Sequence, residues 1–172
     1  YDFYPLFGHK KYRGGSRDFL LWPFMGRSST VQNTEWGEYS RRSRWFFPLY
    51  RHTVTKSTED PLPETLTQFW PLYRYTQTPD GRREWNIIDP LPFIDPPGFD
   101  AFYSRIWRIY RRVDDPAAER KAWELLWGLA GGSRDPEVRK FSILGGLFGR
   151  ERRIGPDGTP SDTRWRVLYI PF

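Results

Sequence analysis

The amino-acid sequence predicts an all-β protein, an antiparallel β-meander of long hairpins with about eight strands in a curved or partly closed sheet. Three observations support this fold class. A short phrase with an aromatic residue followed by Pro or Gly recurs through the chain, polar turn sequences separate its copies, and the runs between the turns are rich in Trp, Tyr, Phe, Ile and Leu. Aromatic and branched residues favour strands, and an internal repeat sets the architecture of the whole chain.

The repeated phrase is clearest in the first half of the sequence. Its clear copies are Tyr4-Pro5-Leu6-Phe7, Trp22-Pro23-Phe24-Met25, Phe47-Pro48-Leu49-Tyr50 and Trp70-Pro71-Leu72-Tyr73, and looser copies start at Trp107, Trp127 and Gly145. We expect one strand per repeat with Pro or Gly in its middle, because these residues are typical of the bulges and bends that curve a sheet.

The stretches between the copies combine Pro, Asp and Gly in the order that β-turns favour, as in Thr78-Pro79-Asp80-Gly81. The Pro-rich stretch 89–98 cannot lie in a central ladder. We therefore predict one repeat-built β domain over 1–172, with a first lobe at 1–88, a crossover at 89–98 and a second lobe at 99–172. Residues 99–113 and 117–129 also show a helical spacing, but their match to the repeat favours strands.

The apolar phrases predict a sheet that is covered on both sides. The run from Phe141 to Phe148 is apolar at nearly every position, which is typical of strands buried on both faces. A chain of 172 residues is long enough to build a core. A closed sheet, a sandwich or a sheet covered by a partner is therefore expected.

Composition excludes some chemistry and points to anionic partners. The chain has no Cys, which excludes disulfides, thiolate metal sites and cysteine nucleophiles. It carries a net charge of +6, 19% aromatic residues, and 22 Arg against five Lys among its 27 basic residues. Because Arg stacks on aromatic rings and binds carboxylate or phosphate with paired hydrogen bonds, basic and aromatic side chains are expected to share surfaces. No apolar run approaches the ~20 residues of a membrane helix.

No catalytic, cofactor or metal site is predicted. His9 and His52 occupy a motif position that other copies fill with Tyr or Arg, so they do not indicate a metal site. No nucleophile elbow or phosphate-binding loop is present. An enzyme acting on glycans is the alternative that requires two convergent carboxylates. The carboxylates that could serve are Glu35, Glu38, Asp89, Asp95 and Asp100.

The candidate binding residues are Arg and Trp that lie close together in the sequence. They are Arg44, Trp45, Trp70, Arg74, Arg105, Trp107, Arg108, Trp127, Arg164 and Trp165. Trp and Arg dominate the energetics of protein interfaces, and basic residues also hold anionic lipid headgroups. Protein partners in a larger assembly, including a second copy of the chain, are therefore expected first. An anionic lipid or glycan is expected second, and nucleic acid is the least supported partner.

The run Trp165–Phe172 supports a further alternative. Its alternating apolar residues and final Phe are similar to the closing strand of an outer-membrane β-barrel, although Pro171 interrupts the last ladder positions. The chain opens at Tyr1 inside a motif copy, so we expect a processed chain or the ordered part of a longer one.

At these motifs the sequence resembles a group of uncharacterised bacterial cell-envelope proteins, many of them predicted lipoproteins, which repeat phrases such as Trp-Pro-Leu-Phe and Leu-Leu-Trp-Gly-Leu. The likeness is strongest over 123–153 and 164–172. It implies a location in the bacterial envelope, periplasmic or associated with the outer membrane, and it implies no activity or site residues. The Pro-rich stretch 89–98 and the absence of a lipidated Cys depart from the group.

These observations together predict a non-enzymatic structural or scaffolding subunit of a bacterial envelope assembly that docks through Trp, Tyr and Arg surfaces. The alternatives are a binding module for an anionic glycolipid or polysaccharide, and a segment of an outer-membrane β-barrel. Salt separates the first two hypotheses, because ionic recognition weakens as salt rises and a hydrophobic protein interface does not.

Overall fold

A computed structural model describes residues 2–34, 37–88, 108–155, 157–168 and 170–171 of the chain. Within these residues the chain is all-β, as the sequence predicts, and it divides into two compact units. The first unit comprises the described residues up to Gly81, and the second begins at Arg82. In each unit the strands follow one another in chain order as an antiparallel meander, which confirms the predicted topology.

The first unit contains eight strands, each paired with the next. They are β1 (Asp2–Phe3), β2 (Phe7–Tyr12), β3 (Gly15–Leu20), β4 (Met25–Thr34), β5 (Gly37–Phe46), β6 (Tyr50–Ser57), β7 (Glu64–Phe69) and β8 (Tyr73–Gln77).

The second unit contains eight more. They are β9 (Arg83–Ile87), β10 (Tyr110–Asp115), β11 (Arg120–Leu125), β12 (Ala130–Arg134), β13 (Val138–Ile143), β14 (Phe148–Ile154), β15 (Pro160–Val167) and β16 (Ile170–Pro171). β9 pairs with β10, and every later strand pairs with its successor.

The number of strands differs from the prediction. Among the described residues 14 strands have five residues or more, from β2 to β15, against about eight expected. The repeated phrase lies in the turns, not in mid-strand: residues 21–24 join β3 to β4, and residues 70–72 join β7 to β8. The chain therefore reverses at the aromatic phrase and again at the polar turn, so each repeat contributes two strands. The prediction of one strand per repeat, bent by Pro or Gly in its middle, was wrong.

Closure, one of the forms predicted for the sheet, was wrong, and so was the prediction that the run Phe141–Phe148 is apolar on both faces of one strand. Among the described residues no pairing joins the first strand of either unit to its last. The run Phe141–Phe148 is not apolar on both faces of a strand, because Phe141 and Ile143 point to one face, Ser142 points to the other, and residues 144–147 form a turn.

The expected hydrophobic core is not found in the part of the chain that the structure describes. No hydrophobic side chain there is buried, and the buried side chains are polar: Thr53, Gln68, Arg74 and Asn86. Apolar side chains lie instead at the turn ends of the strands, where most of them are exposed.

Two segments with helical spacing form strands where they are described, namely β10 and β11. A one-turn 3-10 helix at Leu126–Gly128 follows β11. The predicted crossover 89–98 and the first part of the segment 99–113 lie outside the described residues. Among the described residues no helix is long and apolar enough to span a membrane.

Candidate functional site

The register of the second unit arranges side chains in rows that run across its strands. Paired residues of an antiparallel sheet point to the same face, and so do residues two apart along one strand. The row nearest the aromatic turns, the apolar row, consists of Ile87, Tyr110, Leu125, Ala130, Ile143, Phe148, Val167 and Ile170. Six of these eight side chains are exposed.

Two residues further along each strand, on the same face, arginines lie among aromatic rings. This row, the Arg–aromatic ladder, consists of Trp85, Arg112, Trp123, Gly132, Phe141, Arg150 and Trp165. The Arg112 guanidinium lies 5.7 Å from the centroid of the Trp85 ring, and the Arg150 guanidinium lies 5.1 Å from that of Trp165. Both distances fall within the roughly 6 Å range of a cation–π interaction.

Gly132 lets two rings of the ladder meet across an intervening strand. The Trp123 side chain lies so close to Gly132 that a Cβ atom there would be 2.9 Å from the indole Nε1. The centroids of the Trp123 and Phe141 rings are consequently 6.2 Å apart, although β12 separates their strands. The packed rings form a continuous aromatic platform in the middle of the face.

The third row of this face is basic. It consists of Arg83, Asp114, Lys121, Arg134, Arg139, Arg152 and Thr163. With Arg112 and Arg150 of the ladder, the face carries seven basic residues and one acidic residue over these three rows. We call the face that bears the apolar row, the ladder and the basic row the banded face.

The opposite face of the same strands has nearly balanced charge. Its basic residues are Arg111, Arg120, Lys140, Arg153, Arg164 and Arg166, and its acidic residues are Glu84, Asp115, Glu124, Glu151 and Asp162. Ion pairs join Arg111 to Glu84 at 2.9 Å and Lys140 to Glu151 at 3.9 Å. The net positive charge of the second unit's strands therefore lies mainly on the banded face.

Glu84 is the centre of the ion pairing on the opposite face. Burial of its carboxylate acts to raise the pKa, but the hydrogen bonds and charge of Arg111, a hydrogen bond from Asn86 and the charge of Arg108 outweigh burial and lower the pKa of Glu84. Arg111 binds both carboxylate oxygens, with Nε at 2.9 Å from Oε1 and Nη2 at 3.2 Å from Oε2. This is the paired geometry that arginine offers to a carboxylate.

Bulky apolar residues occupy turn positions that favour glycine. Leu21, Trp127, Leu144 and Leu168 have φ between +52° and +60°, a region that costs an L-residue roughly 1–2 kcal/mol. All four side chains are exposed, Trp127 and Leu168 to 62%. These turns therefore hold four bulky apolar side chains in exposed positions on a strained backbone.

The first unit repeats the apolar row at its turn end. The row consists of Phe7, Leu20, Met25, Phe46, Tyr50, Phe69 and Tyr73. On the same face, two residues further along the strands, Asp18 contacts His9 and accepts a hydrogen bond from Arg27 Nε at 2.5 Å. The hydrogen bonds with His9 and Arg27 lower the pKa of Asp18 below its ordinary value.

The opposite face of the first unit carries an aromatic group near the turns. The Trp22 ring packs edge-on against Phe19 at 5.9 Å and under the Arg17 guanidinium at 5.9 Å. Arg51 lies on this face, and its burial, reinforced by the charges of Arg41 and Arg74, lowers the pKa of its guanidinium.

The sequence-predicted binding residues are dispersed. Arg44 and Trp45 are neighbours on β5 and point to opposite faces, as do Arg164 and Trp165 on β15. Four other predicted residues lie in the described part of the chain. Trp70 and Trp127 lie in turns, Arg74 lies on β8, and Arg108 lies just before β10. Arg74 is buried, and Arg108 Nη1 lies 4.0 Å from Glu84 Oε1. Arg105 and Trp107 lie outside the described residues. Only Trp165 belongs to the ladder.

Most ladder residues were not among the predicted set. The missed members are Trp85, Arg112, Trp123, Gly132, Phe141 and Arg150. These residues could have been found by counting positions from the turns. Two residues that lie equally far from the same turn, one on each side of it, pair across the hairpin. Proximity along the chain does not reveal these pairs, since Arg150 and Trp165 are separated by a polar turn.

No protein-family model, curated protein or solved structure matches the chain.

Proposed function

We propose that this chain is a non-enzymatic protein that binds an anionic lipid or glycolipid surface through the banded face of its second unit. The observation that carries the proposal is the order of the three rows on one face: apolar at the turn edge, aromatic with arginine in the middle, and basic beyond. An anionic lipid surface presents complementary layers in the same order: the acyl chains, the interface at which Trp and Tyr rings lie, and the negatively charged surface.

The dimensions of the rows are compatible with this binding mode. Four residues separate the apolar row from the basic row, which is roughly 13 Å at the rise of a strand. The polar layer on each side of a bilayer is roughly 5–8 Å thick. With the turn edge deepest, the apolar row and the exposed turn residues reach the hydrocarbon, the ladder lies in the interfacial layer, and the basic row lies at the negatively charged surface.

Each row would contribute a different part of the binding energy. Indole rings prefer the boundary between apolar and wet regions, so the ladder fixes the depth of insertion. A basic residue close to an anionic membrane contributes about 1 kcal/mol, a contribution that salt screens. The opposite face adds little attraction, because its basic and acidic side chains nearly balance.

The scaffolding hypothesis remains the second candidate, and the apolar row of the first unit favours it. Exposed apolar rows of this length also serve as protein interfaces, with Trp and Arg as anchors. A protein partner would cover the rows without requiring anionic charge. The predicted envelope location fits either candidate and remains a prediction.

Flotation with vesicles tests the proposal. The full chain is mixed with phosphatidylcholine vesicles, with phosphatidylcholine–phosphatidylglycerol vesicles, and with vesicles containing lipopolysaccharide, each at low and at high salt. We expect flotation with the two anionic preparations at low salt and a marked loss at high salt, because the basic row and the ladder supply much of the attraction. Flotation with none of the three would contradict the proposal and leave a protein partner as the better explanation.

Matched variants locate the binding face. Arg139→Gln removes an exposed charge from the banded face, and Arg153→Gln removes one from the opposite face of the neighbouring strand. Only Arg139→Gln should reduce flotation. Trp127→Asn removes an exposed ring from the turn at a backbone conformation that Asn tolerates, so it should reduce flotation without unfolding the chain. Equal losses in Arg139→Gln and Arg153→Gln would mean non-specific charge attraction.

A further inference from the structure

A second cluster of basic side chains lies on the first unit, on the face that carries its apolar row. The cationic cluster consists of Arg27, Arg42, Arg44 and Lys56, and His52 lies beside it on the same face. The register places Arg27 opposite Arg44, and Arg44 opposite His52. Arg42 precedes Arg44 by two residues on β5, and Lys56 follows His52 by four on β6, so all five point to one face.

The cationic cluster carries more positive charge than its one neighbouring carboxylate balances, because Asp18 pairs only with Arg27 among its members. Like charges directly opposite each other destabilise a sheet, so the pairing of Arg27 with Arg44 is unfavourable on its own. Asp18, the carboxylate nearest to Arg27, already binds His9 and Arg27. In the part of the chain that the structure describes, no carboxylate forms an ion pair with Arg42, Arg44 or Lys56.

The surface around these side chains is concave. Two shallow depressions of about 310 and 370 Å³ share Arg42 and Arg44 as lining residues. Ser29 and the Asp18 carboxylate line the first depression, whereas Ser40 lines the second, whose described lining contains no carboxylate. Two arginine forks with adjacent hydroxyls are the donor set that a phosphate group requires, because its oxygens accept several paired hydrogen bonds.

We propose that the cationic cluster binds a phosphate group, carried either by a soluble molecule or by a lipid headgroup. The phosphate would lie beside Arg42 and Arg44 in the second depression, where it would neutralise like charges that Asp18 does not balance. This site is built by β4, β5 and β6 of the first unit, and it does not depend on the banded face of the second.

Calorimetric titration of the full chain with inorganic pyrophosphate tests the site, and phosphatidylcholine vesicles doped with phosphatidic acid provide the lipid arm. The key variants are Arg42→Gln and Arg41→Gln, which change neighbouring exposed arginines on opposite faces of β5. We expect Arg42→Gln to weaken binding by about tenfold or more, and Arg41→Gln by less than about twofold. Both variants should fold, because both side chains are exposed, and circular dichroism checks this.

Each outcome decides the proposal. Pyrophosphate binding that Arg42→Gln weakens selectively supports a soluble phosphate ligand. Binding to phosphatidic acid vesicles alone, with the same selectivity, supports a headgroup. No binding to either probe, or equal losses in the two variants, would overturn the site. The flotation variants Arg139→Gln and Trp127→Asn leave the cationic cluster intact, so failure of one proposal is distinguishable from failure of the other.

Discussion

At the scale of single residues, Glu84 has the most interactions of any carboxylate among the described residues, and its role is testable through pH. Burial of the carboxylate acts to raise its pKa in the folded chain, but the hydrogen bonds and charge of Arg111 are the main effects that lower it, and the pKa is lowered overall. A carboxylate whose pKa is lower in the folded than in the unfolded chain stabilises the fold at pH values above its unfolded pKa, which is about 4.3 for Glu. This stabilisation is lost as the pH falls through the pKa of the folded chain. Glu84→Gln should therefore lower the free energy of unfolding at neutral pH by about 1–3 kcal/mol, as expected for hydrogen bonds to charged groups.

The measurement for Glu84 is urea unfolding of the full chain from neutral pH down to about pH 3. Below the folded pKa the variant and the parent chain should converge, because Glu84 is then neutral in both states. Glu137→Gln is the matched control, since Glu137 is an exposed carboxylate of the same unit. A constant difference across the whole pH range would show that packing, not the charge of Glu84, sets its contribution.

At the scale of the strands, the glycines next to the aromatic turns differ in whether their surroundings leave room for a Cβ atom. At Gly26 a Cβ atom would lie 2.4 Å from the Trp45 ring and 2.7 Å from the backbone oxygen of Asp18. At Gly149 the nearest atoms would be 3.5 and 3.7 Å away, which is ordinary contact. Gly26→Ala should therefore destabilise the chain by about 1–3 kcal/mol through overpacking.

Gly149→Ala serves as the comparison for Gly26→Ala. It should be neutral or slightly stabilising, because it reduces the entropy of the unfolded chain without a clash. Urea unfolding of both variants measures the difference. If both alanines are tolerated equally, the close packing of Trp45 over β4 does not contribute to stability.

The turns show how far the sequence could predict the fold. The meander topology could be predicted because the phrase repeats and the polar turns contain Pro, Asp and Gly. The number of strands could not be predicted, because the chain also reverses at the aromatic phrase. Leu21 and Trp127 have positive φ in these turns, at positions where Gly or Asn would be expected. A turn built from apolar residues has the composition of a strand, so the phrase was assigned to the middle of a strand.

The ladder shows the corresponding limit for the candidate site. The excess of Arg and aromatic residues predicted that the two would share surfaces, and the cation–π pairs have that character. Which residues meet depends on register: Trp165 contacts Arg150 across the hairpin, while its sequence neighbour Arg164 lies on the other face and pairs with Asp162 at 3.1 Å. Period-two alternation separates adjacent residues, so a list of adjacent Arg and Trp could not define the face.

At the scale of the whole molecule, the lack of a buried apolar core among the described residues predicts a small heat capacity change on unfolding. Unfolding raises the heat capacity mainly by exposing apolar surface. An ordinary domain gains about 12–15 cal/mol/K per residue, which for 172 residues is roughly 2.1–2.6 kcal/mol/K. Since apolar side chains of both units are already exposed in the folded chain, the heat capacity change on unfolding should fall well below this range.

Differential scanning calorimetry of the full chain at low protein concentration measures this quantity, and sedimentation at the same concentration establishes that the chain is monomeric. Adding anionic vesicles should raise the midpoint of unfolding, because a ligand that binds only the folded state stabilises it. A monomer with an ordinary heat capacity change would mean that the apolar rows are covered within the chain, and no surface would then remain for the proposed membrane contact. A heat capacity change in the ordinary range that falls when the protein is diluted would instead show that copies of the chain cover each other's apolar rows. That result would favour the scaffolding candidate.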